Sequence, residues 1–225
     1  MIVVVLTLFP ETVRPYLEQS ILGIAERKGL LRTLLVDFRD YTGDRHRTVD
    51  DRPFGGGPGM VLKPEPIFEA MEDVEAQVGP TRKVLFTPRG TTFTQARAAE
   101  LAREERLLLL CGRYEGIDER VHQAFPWTEI SLGDFVLSGG EIPALALIEA
   151  TVRLLPGVLG DPRSAEEDSF ARGEGVDWPQ YTRPRVFREM EVPPVLLSGD
   201  HEAIRRWREN EANRLTRKKY PGDGG

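Results

Sequence analysis

Cysteine, histidine and long apolar runs are what this sequence has least of. Cys111 is the only cysteine, which excludes an intrachain disulfide, and His46, His122 and His201 are too dispersed to give the Cys/His spacing of a zinc site. No metal ligand set is expected. No apolar stretch reaches the ~18 residues of a membrane span, and the Met1-Ile2-Val3-Val4-Val5 start lacks the basic flank and small-residue cleavage site of a signal peptide. The chain is expected to be cytoplasmic, with no membrane partner. Glycine is missing from the Phe9-Pro10-Glu11-Thr12-Val13 turn and GxxxxGK[ST] occurs nowhere, which excludes a dinucleotide fingerprint, the usual cofactor loop of Rossmann-type methyltransferases and a phosphate loop.

What is present is a chain of 225 residues, 40% hydrophobic and 29% charged, enough for a sizeable core and matching one large domain with an appendage. The net charge of -6 taken alone argues against a nucleic-acid partner. Its distribution argues otherwise. Residues 181–220 hold ten Lys or Arg against six Asp or Glu, a local +4 that leaves -10 for the rest. A basic appendage of this kind suits phosphate contacts, and a solvated helix face is the alternative.

Ile2 to Phe9 is β-branched and apolar without alternation, as in a strand buried on both faces. Val13, Leu17, Ile21 and Ile24 then recur at helical spacing between Pro10 and Gly29. Strands at 34–36, 84–86, 107–111 and 129–132 alternate with helices at 66–77, 94–105, 117–124 and 142–155, the last almost wholly apolar and expected to be buried. Such alternation implies an α/β fold with a parallel sheet over residues 1–156. Residues 157–180 read as an exposed, mobile linker. Residues 181–225 form a small C-terminal helical domain, in which Asp200 caps a helix with Ile204 and Trp207 on one side and Arg205, Arg206 and Arg208 on the other.

Ligands of an α/β sheet bind at the carboxyl ends of its strands, where three glycine-bearing turns fall: Thr87-Pro88-Arg89-Gly90, Gly112-Arg113-Tyr114-Glu115-Gly116 and Ser131 to Gly140. Each alone suits a tight turn. Together, with Phe135 and Leu137 in the third, they favour a flat, partly apolar ligand such as an adenine ring, with Tyr114 and Glu115 on its polar groups unless Glu115 is a surface carboxylate. The loop at 44–60 is long for a compact domain, and its Arg, His and aromatic residues suit a flipped base and phosphates, or a mobile self-neutralising loop. Acidic residues at 166–168 read by themselves as inert solvated carboxylates.

Several strings resemble, in order, the bacterial tRNA (guanine-N1)-methyltransferases of the TrmD type, in the SPOUT superfamily of knotted methyltransferases: LFPE at 8–11, DRHRTVDDRPFGGGPGM at 44–60, CGRYEGIDERV at 111–121, SLGDFVLSGGE at 131–141, PGVLG at 156–160, EDSF at 167–170, YTRP at 181–184 and VPPVLLSGDHEAIRRWR at 192–208. The resemblance implies a deep trefoil knot within residues 84–140 and S-adenosylmethionine held by Phe86, Pro88, Gly112, Tyr114, Glu115, the Ser131-Leu132-Gly133-Asp134-Phe135-Val136-Leu137 run, Gly139, Gly140 and Pro143. It implies methyl transfer to N1 of guanosine 37 of tRNA, with Asp168 as general base and Arg153 as the active-site arginine. Arg45, His46, Arg52, Gly57, Arg183, Arg205 and Arg208 are then the expected tRNA contacts. A homodimer with composite sites and dependence on Mg2+ are also implied.

Two departures accompany it. Gln180 stands where relatives often have His, and the chain ends near Gly222, ahead of relatives with further helices, so tRNA contacts are expected to be weaker or differently distributed. The rival readings are a knotted methyltransferase acting on another RNA and a non-catalytic RNA-binding protein of the same fold.

Overall fold

In a computed structural model, which describes residues 1–161, 167–171, 173 and 175–221, the opening apolar run is β1 (Ile2–Thr7), flanked by neighbours on both edges. A five-stranded sheet forms in the order β2 (Arg32–Asp37), β1, β6 (Arg106–Leu110), β5 (Arg82–Thr92), β7 (Thr128–Ser131), and every pairing in it is parallel. The missing alternation of β1 and β6 follows from helices on both faces. Val3, Val5, Leu107 and Leu109 face one core with α6 (Glu141–Val152), while Val4, Leu6, Leu108 and Leu110 face the other with α3 (Pro64–Val78).

The helix expected from Pro10 to Gly29 is two, α1 (Pro10–Leu17) and α2 (Ser20–Arg27), because Ser20 takes a positive φ of 47° that no helix can carry through. The apolar spacing persisted across the break, which hid it. The long loop is also not wholly irregular: β3 (Asp50–Asp51) pairs antiparallel with β4 (Val61–Leu62). β5 is far longer than the three residues expected. Phe86 and then Thr91 both pair with Ile130, so residues 87–90 leave the sheet and return to the same partner. Two further helices, α4 (Gln95–Leu101) and α5 (Glu119–Ala124), complete the cover. The α6 helix is buried along one side only: Ala144, Leu147 and Ile148 lie in the core, but Ile142 is 61% exposed.

The chain divides into two compact units, Met1–Gly160 and Asp161–Gly225. The second holds a short hairpin of β8 (Val186–Phe187) and β9 (Met190–Glu191) and a long helix, α7 (His201–Lys219), whose N-cap Asp200 accepts from the N–H groups of Glu202 and Ala203. Part of the segment expected as a linker is bonded within this unit. Val176 N donates to Thr216 Oγ1 at 3.0 Å and Ser169 Oγ donates to Asp177 at 2.8 Å. Residues 162–166, 172 and 174 of that segment, and the terminal residues 222–225, lie outside the described residues.

Leu109 lies on a central strand with no exposed surface. Leu109→Ala is expected to destabilise the first unit by about 2–5 kcal/mol, read from urea unfolding, because a cavity between two close-packed layers cannot collapse. A change under ~1 kcal/mol would contradict this packing.

Candidate active site

The carboxyl ends of β5, β6 and β7 open onto a cavity of about 550 Å³, within the roughly 300–1,000 Å³ that small-molecule sites occupy. All three glycine turns line it. Phe86 and Pro88 come from the excursion of β5, Gly112, Tyr114 and Glu115 from the turn after β6, and Ser131, Leu132, Gly133, Phe135, Val136, Leu137, Gly139 and Gly140 from the turn after β7. Pro143 contributes from the first turn of α6, where a missing N–H forfeits no helical hydrogen bond.

Close backbone approach builds this cavity. Gly140 N donates to Gly112 O at 3.0 Å, and a Cβ on Gly140 would stand 2.6 Å from Cys111 Cα, so the two turns meet as only glycine allows. Tyr114 takes a positive φ of 60°, which turns the chain sharply within the loop after β6. Phe135, Val136 and Tyr114 are more than half exposed, an uncovered apolar and aromatic rim on an otherwise well-filled domain.

Beneath the rim lies a polar group that sequence reasoning missed. Glu141, nearly fully buried, accepts from Thr7 Oγ1 at 2.7 Å and pairs with Arg113 Nη2 at 2.9 Å, and the Arg113 guanidinium lies 4.4 Å from the centre of the Phe9 ring. One carboxylate thus joins the end of β1, the turn after β6 and the start of α6. Arg113 and Arg89, within the turns expected to line a pocket, do line the cavity, and so do Glu119 and His122, which the sequence reading did not single out. Arg89 pairs with Glu119 at 3.3 Å, and His122 Nδ1 lies 2.8 Å from Glu129 Oε1. The Glu119 and His122 spacing of three on one helix was the available signal.

Asp134 is the one expected cofactor residue absent from the lining. It is the exposed apex of a three-residue turn closed by Phe135 N donating to Gly133 O at 2.9 Å. Arg45, His46, Arg52 and Gly57 are exposed and do not line the cavity either, although their loop is stitched to it: Glu115 N donates to Met60 O at 3.1 Å, and Gly59, at φ +78°, leaves room for the Glu115 side chain. Asp44 closes that loop on itself, and hydrogen bonds from Thr48 hold its carboxyl below the usual range. Arg153 caps the end of α6 in the first unit and is half-buried; Asp168, also half-buried, belongs to the second.

The basic helix face needs correction. Arg208 is one turn on from Ile204, so it shares that residue's side of α7 and stacks on Trp178 at 4.8 Å. Arg205 and Arg206 are exposed, and Glu209 and Glu202 lie 3.9 and 3.7 Å from them. Arg183 is exposed.

Residues 1–222 match the family model described as tRNA (Guanine-1)-methyltransferase TrmD. The chain belongs to the TrmD family. A tRNA (guanine-N(1)-)-methyltransferase of Moorella thermoacetica is 54% identical to it, across 96% of this chain and 87% of the relative, and one of Geobacillus kaustophilus is 50% identical, across 94% and 86%. The solved tRNA (m1G37) methyltransferase of Aquifex aeolicus superposes with a TM-score of 0.82 at 43% identity, covering 98% of this chain and 93% of that one. The chain thus shares its overall fold with that solved methyltransferase.

Two outcomes test the geometry. Burial pushes the Cys111 thiol well up, so thiol reagents should label it only as fast as the unit unfolds; native-state labelling at the rate of a free cysteine would contradict that. Glu141→Ala strands Arg113 and Thr7 and should cost about 3 kcal/mol by urea unfolding, the partial exposure of Arg113 keeping it at the lower end for a broken buried pair.

Proposed function

We propose that the chain transfers a methyl group from S-adenosylmethionine to N1 of guanosine 37 in tRNA, as a cytoplasmic homodimer whose sheet strands run through a trefoil knot within residues 84–140. The observation that carries this reading is the cavity walled by three backbone turns in a chain of the TrmD family. Main-chain N–H and C=O groups of the Gly112–Gly116 and Leu132–Gly140 turns suit the polar edge of an adenine, and the apolar Leu137 and Pro143 suit its faces. No Cβ at Gly140 could be accommodated without displacing Cys111. When bound, S-adenosylmethionine supplies an electrophilic methyl group on a sulfonium.

The acceptor dictates the rest. Guanine N1 carries a proton and a delocalised lone pair, so a base has to take that proton as the new N–C bond forms. Asp168 fills this role, its carboxylate half-buried. Negative charge that develops towards O6 is met by the guanidinium of Arg153. Because Asp168 and the cavity belong to different units of the chain, a base donated by the partner subunit fits the homodimer reading, and the exposed Ile142 on an apolar helix supplies surface for the partner. The resemblance also implied Mg2+. Among the described residues no three His, Cys, Asp or Glu side chains come together around a common point, and no step is drawn through the ion.

Mass analysis of nucleosides from tRNA incubated with protein and S-adenosylmethionine should find N1-methylguanosine; a different methylated nucleoside would shift the reading to another RNA target, and no product to a binding protein. Asp168→Asn should retain S-adenosylmethionine affinity by calorimetry while single-turnover transfer drops by two orders of magnitude or more, in the ~10²–10⁴ range of a lost general base. For composite sites, inactive Gly140→Trp and Asp168→Ala chains should complement when mixed. Random mixing makes half the dimers heterodimers with one working site of two, so about a quarter of wild-type activity should return. Recovery of nothing, with heterodimers verified by differential tags, would place each site within one chain.

A further inference from the structure

The second unit holds a cavity of its own, about 470 Å³ in volume, that the catalytic reading leaves unused. Its lining divides by chemistry. Val192, Leu196 and Ile204 give an apolar floor; Trp178 and Tyr181 give aromatic surface; Arg183, Arg185 and Arg208 give positive charge, and no Asp or Glu is among the lining residues.

Three arginines of this unit that lie away from the cavity have carboxylates, Glu209 for Arg205, Glu202 for Arg206 and Glu211 for Arg214, the last at 2.6 Å; Arg188 and Arg217, also away from it, have none within ion-pair distance among the described residues. Among the described residues no carboxylate lies within ion-pair distance of Arg183, Arg185 or Arg208. Two donors of the lining are also buried without an acceptor, the indole Nε1 of Trp178 and Nε of Arg208. Both atoms are shut off from solvent, so the charge on the cavity wall comes from the rest of the three guanidiniums, and with no carboxylate in the lining it suits a guest that carries negative charge. The planar surfaces narrow it further. The Arg208 guanidinium already lies on the Trp178 ring, and Tyr181, whose ring centre is 6.2 Å from that of Trp207, is half exposed. An aromatic face beside phosphate-binding guanidiniums is the recognition chemistry of a single unstacked nucleotide.

We propose that this cavity seats one unstacked nucleotide of the RNA substrate, its base against Tyr181 and its phosphate among Arg183, Arg185 and Arg208. The proposal rests on the reading of the chain as acting on tRNA. It makes the second unit a holder of one splayed nucleotide, in contrast to a flat basic surface that touches only the backbone.

The experiment uses the full chain and unmodified tRNA transcripts, with affinity measured across a salt series. Tyr181→Leu removes a neutral ring and should weaken binding about tenfold with the salt slope unchanged. Arg185→Gln should lower the slope by about one counterion. Transcripts carrying one abasic nucleotide at successive positions of the anticodon arm should include a single position at which Tyr181→Leu causes no further loss, which identifies the seated base. Trp178→Phe keeps a six-membered aromatic ring but removes the pyrrole half of the indole with its N–H, so it tests that wall of the cavity if the leucine variant fails to fold. Unchanged affinity for Tyr181→Leu and Trp178→Phe overturns the proposal. So does a Tyr181→Leu loss that is the same at every abasic position, or a change in sedimentation mass with tRNA affinity intact, which would make the cavity an interface between copies of this chain. Wild-type protein that binds tRNA through these residues yet forms no N1-methylguanosine would overturn the catalytic reading and leave the cavity's occupant standing.

Discussion

The approach of Gly140 to Cys111 is the contact on which the first unit's chemistry depends. It brings the turn after β7 against the end of β6, aligns Gly140 N with Gly112 O and sets the point from which α6 starts. Everything facing the cavity is referred to this seam. Arg113 and Gly139 bridge across it, and Glu141, first residue of α6, reaches back to Arg113 and to Thr7 on β1. A buried carboxylate is weak evidence of stabilisation in itself, since its desolvation offsets much of the Coulomb gain. Its contribution is to geometry, because removing the carboxylate takes the ion pair from Arg113 and the acceptor from the Thr7 hydroxyl together. Three separate chain segments are thereby held in one arrangement.

How much of this was legible in the sequence depended on whether the signal was local. Unalternating runs at Ile2 to Phe9 and Leu107 to Cys111 announced strands covered on both faces, and glycines announced where the backbone had to come close. Those are properties of a few adjacent residues. The length of β5 was not one of them, because its second half exists through pairing of Thr91 and Thr92 with β7, almost forty residues away in sequence. Thr7, Arg113 and Glu141 were unreadable for the same reason: each is an ordinary polar residue until the fold puts it beside the other two. The break at Ser20 was masked differently. Hydrophobic spacing reports which residues reach the core, and both α1 and α2 reach it, so the pattern survived a discontinuity in the backbone.

The basic helix shows how a correct element can carry a wrong face. Asp200 was read correctly as its cap, yet Arg208 was grouped with Arg205 and Arg206 by proximity in sequence. Four residues make slightly more than one turn, so position 208 falls with 204. The consequence is chemical. Arg205 and Arg206 have acidic neighbours one turn away, in the high dielectric of an exposed surface where such pairs contribute little and are readily exchanged for phosphate. Arg208, over the Trp178 ring and with no carboxylate beside it among the described residues, sits in a place that water reaches less.

That difference bears on how a chain of net charge -6 comes to handle a polyanion. At physiological ionic strength screening acts over about 8 Å, so an approaching phosphate responds to the charge next to it and not to the sum over the chain. Residues 181–220, at +4, attract; the remainder, at -10, repels. Attraction that is confined to one segment orients the nucleic acid before any specific contact forms, because the wrong approach meets like charge. Pairing Arg205, Arg206 and Arg214 with glutamates weakens nonspecific adhesion, while Arg183, Arg185 and Arg208, with no carboxylate beside them among the described residues, gather around one cavity and keep their attraction for a ligand that fits it. The low overall charge is then part of the selectivity. A uniformly basic domain would hold any phosphate backbone in any register, whereas this distribution favours the register that places a phosphate beside the arginines of the cavity.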